Sequence, residues 1–205
     1  MLLDSHRFPR VARYLAALPD GILSYPTALT KGSLVRAASE DRRIARPREA
    51  LPEPIAELVE RPPLVSTWLP SVHAQAFFLA AADEHAMTDE QFGDWTYRLQ
   101  KRLFGSALYR AVAVVTTPRM LLAGTRMRWG AFHRGTSLEI VDHADRNAVT
   151  ATMRFPSMLY APTNLVGFAR GFQAVAELSN ALVANVEIAA AHAEWARFDV
   201  RWRER

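Results

Sequence analysis

A histidine and an arginine stand side by side at positions 133 and 134, directly after two aromatic residues, Trp129 and Phe132. An imidazole and a guanidinium beside aromatic rings can orient an anionic ligand, because the guanidinium can make two parallel hydrogen bonds to it. The alternative for His133 and Arg134 is structural: cationic groups in the last turn of a helix complement its dipole and bond its free carbonyls. The sequence leaves both interpretations open.

His73 is a second candidate for chemistry, three residues after Pro70 and near the start of a predicted helix. Its imidazole could serve as a haem or metal ligand or as a general base. Alternatively, it simply packs in the first helical turn. The run 83–85, Asp-Glu-His, also brings acids next to an imidazole, but adjacent residues on a helix point in different directions. We expect this run to be a solvated helix end.

Acidic and imidazole side chains also gather at two predicted hairpin tips. If the tips met, their oxygen and nitrogen atoms could bind a divalent ion. Polar hairpin tips need no such explanation, so we expect no metal site. The residues concerned are Asp142, His143, Asp145, His192 and Glu194.

Large aromatic side chains recur in the second half of the chain, where they could line a ligand pocket or form ordinary core. Gly167 and Gly171, four residues apart, would allow close approach of a flat ligand or of a helix in a homodimer, or of the protein's own sheet. The predicted ligand-binding residues are Trp68, His73, Trp129, Phe132, His133, Arg134, Tyr160 and Phe168.

The sequence contains none of the motifs that mark common enzyme sites, such as the nucleophile elbow, the phosphate loop or the dinucleotide fingerprint. It also contains no cysteine, which excludes disulfides, thiol catalysis, thiolate zinc sites and Fe–S clusters. We therefore predict no catalytic residues, and we expect a binding protein rather than an enzyme.

Two hairpins surround the last predicted helix. Apolar and polar residues alternate with period two over 137–142 and 149–155, and again over 186–190 and 197–202. This alternation is typical of antiparallel strands with one face on a core. A helix from Pro162 to about Asn185 lies between them. The order predicts an α+β fold: a helical N-terminal half, then a ββαββ antiparallel sheet of about four strands with a long helix on one face.

The helical half carries recognisable start and stop signals. Thr88 and Gln91 form a capping box, and Ser71 suits an N-cap. Residues 42–54 are predicted to be a linker, and residues 61–70 an extended segment held by prolines. Helices are predicted over residues 8–18, 26–41, 55–60, 71–86 and 88–103, and from Thr117 to a stop at Gly135.

Length and charge favour one domain over residues 1–205, with a helical, basic extension over 1–60 and a core over 61–205. Residues 1–50 hold nine Lys and Arg against five Asp and Glu, which accounts for the net charge of +4. No signal peptide or membrane span is recognisable, so we expect a cytoplasmic protein. The arginines that could contact nucleic acid are Arg7, Arg10, Arg13, Arg36, Arg42, Arg43, Arg46 and Arg48.

Three motifs, Pro63–His73, Trp129–Gly135 and Phe198–Trp202, resemble a large paralogous family expanded in myxobacteria. The resemblance spans about residues 60–202. That family is similar in pattern to 4-vinyl-reductase-like and haem-nitric-oxide-binding-like sensory domains, in which helices and a ββαββ sheet hold small molecules or haem between them. The metal-binding members carry cysteines near the last hairpin. Here Ala191–Trp195 has none, so no zinc site of that kind is implied.

The leading hypothesis is a non-enzymatic, small-molecule-binding or sensory domain with an apolar, aromatic-lined cavity between helices and sheet. We expect no cofactor, and the resemblance makes haem the one cofactor to test. An alternative is a protein-interaction or scaffold domain that forms a homodimer through the Gly167 and Gly171 face or a free sheet edge. The third is nucleic-acid binding through the basic N-terminal quarter, which we do not favour. No membrane partner is expected.

Overall fold

A computed structural model of the protein describes residues 3–104, 117–143, 146–178 and 181–204. The helices are α1 Pro9–Ala17, α2 Gly32–Asp41, α3 Pro47–Ala50, α4 Glu53–Glu60, α5 Ser71–Glu84, α6 Asp89–Phe104, α7 Pro118–Phe132 and α8 Pro162–Glu177. The strands are β1 Leu29–Lys31, β2 Trp68–Pro70, β3 His133–Arg134, β4 Ser137–His143, β5 Ala148–Arg154, β6 Ala181–Ala191 and β7 Trp195–Glu204. None of the helices in these ranges has the length and apolar character needed to cross a membrane.

The larger sheet has four antiparallel strands in the order β4-β5-β7-β6. In its register Val149 faces Val200 and Ala151 faces Phe198, and all four side chains are buried. Period-two alternation produces this arrangement because successive side chains of a strand point to opposite faces. The predicted α+β fold, with its helical first half and ββαββ sheet, is confirmed.

The start of the second hairpin differs from the prediction. The helix expected to reach Asn185 ends at Glu177, and β6 already begins at Ala181. Burial alternates from residue to residue at the start of β6: Ala184 is buried, Asn185 is exposed and Val186 is half-buried. This alternation is typical of a strand rather than a helix.

A second, smaller sheet was not predicted. Its three short strands lie in the order β2-β1-β3, so Leu29 belongs to a strand rather than to the predicted helix over 26–41. Gly32 begins α2 and lies against the loop before β2. A Cβ atom there would stand 2.6 Å from the carbonyl oxygen of Leu64. Glycine therefore permits the close contact that holds this sheet to α2.

Helix α5 runs through the core, and its start and end differ from the predictions. Ser71 is the first helical residue rather than the N-cap, and its hydroxyl shares a 2.9 Å hydrogen bond with that of Thr30. At the other end, Asp83 bonds the Arg10 guanidinium at 3.0 Å. Glu84 bonds Arg7 in the same way at 2.8 Å. The acids predicted to be solvated therefore tie α5 to the N-terminal segment.

Helix α8 packs between α6 and the sheet. A Cβ on Gly167 would lie 3.2 Å from the ring of Phe92, and one on Gly171 would lie 2.6 Å from the Gln100 amide. The two glycines therefore face α6, and not the sheet, which was one of the three predicted neighbours. On its other side α8 meets the sheet through Phe172.

The capping box at Thr88 and the cap at Thr117 are observed, whereas the Ser71 N-cap and the predicted linker are not. Thr88 and Gln91 exchange the two capping-box hydrogen bonds, at 2.9 and 3.2 Å. The Thr117 hydroxyl accepts from the backbone of Met120 at 3.3 Å. Residues 42–54 contain the short helix α3 and the first two residues of α4, and they bury Ile44, Ala50 and Leu51. These apolar side chains pack into the core, which explains why a charged, proline-containing stretch is not a free linker.

Candidate functional site

His133 and Arg134 point in opposite directions, although they were predicted to act together. Helix α7 ends at Phe132, and the backbone of His133 is extended, with φ −137° and ψ 136°. It pairs with Thr30 of β1, so His133 turns inward and Arg134 outward, as adjacent strand residues must. His133 is only 6% exposed, whereas the Arg134 guanidinium lies outside, 4.0 Å from the centroid of the Trp68 ring.

The His133 imidazole is enclosed by aromatic rings. It stacks on Trp129 with centroids 4.3 Å apart and lies 5.6 Å from the centroid of Phe168. Burial lowers the pKa of His133 to about 3, because the charged form loses its hydration. The ring is therefore neutral at physiological pH. Its Nδ1 has no hydrogen-bond partner among the described residues.

A cavity lies beside this imidazole, between α5, α6, α8 and β1. Its volume is about 510 Å³ including the part open to solvent. None of the described residues that line it carries a formal charge other than the titratable His133, and the polar members are threonines and amides. The lining residues are Thr30, Leu34, Gln75, Phe78, Phe92, Thr96, Leu99, Gln100, Leu103, His133, Asn164, Gly167 and Phe168.

The other predicted site residues divide between this cavity and the surface. Phe168 lines the cavity, and Tyr160 supports it from behind with its ring centroid 4.8 Å from that of Phe168. Trp129 supports His133 in the same way. Phe132 is half-buried beyond the cavity lining. Trp68 lies on the outer face of the small sheet.

His73 lies away from the cavity. Its Nε2 is 3.2 Å from the carbonyl oxygen of Ile22, and a carbonyl can only accept, so this nitrogen donates. Burial lowers the pKa of His73. Its ring borders a separate surface groove beside α4, where Glu57 and Arg61 also lie. His73 and His133 therefore do not form one site.

Sequence reasoning missed the polar residues of the cavity. Gln75, Thr96, Gln100 and Asn164 lie on helices, and each side chain faces the cavity beside apolar lining residues. Thr96 and Gln100 are four residues apart on the α6 face that also carries Phe92. Polar side chains on a core-facing helical stripe were the available signal.

The hairpin tips hold local polar contacts. His143 Nε2 lies 2.9 Å from the Thr150 hydroxyl, and that hydroxyl donates to Asp199 at 3.1 Å. His192 stacks on Trp195, and Asp145 lies outside the described residues. Across the described part of the chain, no cluster of three or more His, Asp or Glu side chains could hold a metal ion.

In fold, the chain is similar to solved H-NOX structures. One is a point mutant of an Fe(II) unliganded H-NOX protein from K. algicida, with a TM-score of 0.54, 11% identity, and coverage of 85% of this chain and 97% of that one. The K. algicida protein without that mutation has a TM-score of 0.52 and 11% identity, with coverage of 85% of this chain and 97% of that one. A third structure comes from a study of the function of heme distortion in the H-NOX family. Its TM-score is 0.51 and its identity 12%, with coverage of 85% of this chain and 95% of that one.

These comparisons contradict the expectation of no cofactor. The third structure comes from work on heme distortion. A haem protein therefore has a fold similar to that of this chain. No family model and no curated protein sequence matches the chain. At 11–12% identity the structural similarity concerns the fold alone. The protein therefore has an H-NOX-like fold.

Proposed function

We propose that the protein is a sensory domain that binds a small molecule in the cavity at His133, with haem as the first candidate ligand. One observation carries the proposal: in an H-NOX-like fold, a buried, neutral imidazole lies among aromatic rings, and its Nδ1 has no partner in the part of the chain that the structure describes. Leaving a buried polar atom without a partner destabilises a protein by about 1–3 kcal/mol. A ligand atom bonded to Nδ1 would remove that penalty.

The chemistry of the donor fits haem. Neutral imidazole is a common axial ligand of haem iron, and the low pKa of His133 keeps its ring unprotonated. Phe168 and Trp129 offer apolar surface next to it. His133 would therefore hold the iron, and the two rings would exclude water from it. Haem, when bound, supplies an iron atom that can bind a diatomic gas.

The space around His133 would have to widen for a porphyrin. Much of the cavity consists of narrow clefts between side chains. Its apolar wall includes Phe78, Leu99 and Leu103, and the latter two lie on the C-terminal half of α6. Movement of these side chains would open the cavity without disturbing the sheet behind His133.

Titration of the purified protein with hemin, followed by absorption near the Soret band, tests this function. We expect a saturable spectral change that is lost in His133→Ala. His73→Ala is the matched control, because His73 is also partly buried but borders a different groove, and it should bind hemin as the wild type does. Equal spectra for the wild type and His133→Ala would refute His133 as the ligand.

A neutral, mostly apolar molecule is the second candidate ligand. The uncharged lining of the cavity favours it, since haem carries two carboxylates that would need cationic or polar partners. Native mass spectrometry of the freshly purified protein should then show a retained small mass. Loss of that mass in His133→Ala would locate it in the cavity.

The interaction and nucleic-acid hypotheses receive less support. The Gly167 and Gly171 face is occupied by α6, so a second copy would need another surface, such as a sheet edge. Arg7 and Arg10 already pair with acids of α5, which weakens the positive field that phosphate binding requires. Membership of the myxobacterial family, a single domain, a non-enzymatic role and a cytoplasmic location stay predictions.

A further inference from the structure

Asn164 holds the start of α8 with one end of its side-chain amide. Its Oδ1 accepts a hydrogen bond from the backbone N–H of Ala161 at 3.0 Å. A backbone N–H can only donate, so the oxygen must face Ala161 and the amide orientation is fixed. The nitrogen, Nδ2, is the opposite end of the group.

That nitrogen has nothing to donate to. Asn164 is 3% exposed and lines the cavity, and within the described part of the chain Nδ2 has no hydrogen-bond partner. A buried donor without a partner destabilises a protein, so an acceptor atom of a ligand placed at Nδ2 would be stabilising.

We infer that Asn164 is a ligand-binding residue, whose Nδ2 donates a hydrogen bond to an oxygen atom of the molecule held in the cavity. The inference rests on the proposed function and adds the chemical class of the ligand: an apolar body that carries an acceptor oxygen. His133 Nδ1 lies at the same cavity and likewise has no partner among the described residues. The two atoms together define a two-point polar contact on otherwise apolar walls.

The acceptor oxygen has two sources, a neutral carbonyl group or a carboxylate of haem. Both accept from an amide nitrogen, so the contact to Asn164 is the same. They differ in charge, and this difference separates them in the test. A negative charge placed at position 164 removes the donor in both cases, but it repels the full charge of a carboxylate much more strongly than the partial charge on a neutral carbonyl oxygen.

The test uses two probes of nearly the same shape, acetophenone and α-methylstyrene, of which only the first has an oxygen. Binding is followed by quenching of tryptophan fluorescence, since Trp129 stacks on His133 beside the cavity. We expect the wild type to bind acetophenone about fivefold more tightly than α-methylstyrene, after correction for their different hydrophobicity, as one buried hydrogen bond implies. Equal affinities would overturn the inference.

The variant Asn164→Asp keeps the acceptor for Ala161 and, once ionised, has no donor. Measurement at about pH 8 favours the ionised form even though burial raises the pKa of the carboxyl group. This variant should lose the preference for the ketone. The exposed Asn185→Asp adds the same charge outside the cavity and should keep the preference for the ketone. A preference retained in Asn164→Asp would also overturn the inference. If that variant does not fold, the wild-type ratio alone decides.

Hemin binding distinguishes the two sources of the acceptor oxygen. If the oxygen belongs to a haem carboxylate, hemin binding to Asn164→Asp should weaken more than tenfold, because two negative charges meet. If it belongs to a neutral carbonyl, hemin binding should change less than ketone binding. A wild type that binds none of the three probes would refute the proposed function and this inference with it. Binding that is indifferent to position 164 would refute the inference alone.

Discussion

The buried imidazole of His133 should make the protein less stable in mild acid. Burial lowers its pKa from 6.5 to about 3 in the folded state. In the unfolded chain the ring is solvated and returns to its ordinary pKa. Between these two values the unfolded state binds a proton that the folded state does not. As far as His133 is concerned, the free energy of unfolding is therefore highest above about pH 6.5 and falls as the pH drops toward 3.

The size of the loss follows from the pKa difference. Each unit of pH in this window changes the free energy of unfolding by about 1.4 kcal/mol for one such group. At about pH 5 the expected loss from His133 is therefore about 2 kcal/mol. The variant His133→Phe keeps an aromatic ring against Trp129 but removes the titrating group, so it should lack this part of the pH dependence.

Urea unfolding of the wild type and His133→Phe at about pH 7.5 and about pH 5 measures the difference. Contributions from other groups cancel in the comparison. His73, whose pKa burial also lowers, is present in both proteins. Burial tends to raise the pKa of the Asp41 and Glu84 carboxyl groups, but hydrogen bonds from arginine partners lower it overall, and both groups are present in both proteins. Identical pH dependence in the two proteins would refute the neutral, buried imidazole.

Two matched pairs of variants test the packing around the site. Gly130→Ala on α7 should stabilise the protein by about 0.5–1 kcal/mol, because no described atom lies within 4 Å of the new Cβ. Gly32→Ala should destabilise it by about 1–3 kcal/mol, because its Cβ would lie 2.6 Å from a backbone oxygen; thermal unfolding separates the two. Asp83→Ala should cost about 3 kcal/mol, since the Asp83 side chain is fully buried against Arg10. Asp94 pairs with Arg170 at 3.6 Å near the surface, so Asp94→Ala should lower the free energy of unfolding by less than about 1 kcal/mol. If urea unfolding showed a larger loss for Asp94→Ala than for Asp83→Ala, the argument from burial would be contradicted.

The large sheet was predictable because its signal is long. In β5 and β7, apolar residues alternate with polar ones over six or more positions, a period typical of a strand. The caps at Thr88 and Thr117 were predictable for a similar reason: each is a local hydrogen bond made by nearby residues. Features that depend on a period or on nearby residues can therefore be predicted from the sequence.

The small sheet, and with it the site, could not be predicted in this way. Strand β3 has two residues and β1 has three, too few for any period to appear. Their pairing depends on contacts between distant parts of the chain, and this pairing turns His133 inward and Arg134 outward. Helical spacing placed the two residues together on one helix end, whereas strand geometry separates them. The aromatic neighbours of His133 were identified; the direction of its side chain was not.

The role of His133 is tested most directly by ¹⁵N NMR of the protein labelled at its six histidines, recorded during addition of hemin. The His133 imidazole should stay neutral in mild acid, and its resonance should be missing from the His133→Phe variant. This resonance should shift or broaden as hemin is added, while those of the exposed His6 and His85 keep their positions. A His133 resonance that reports a protonated ring, or that stays unchanged while hemin binds, would contradict the central claim that this imidazole forms the ligand site.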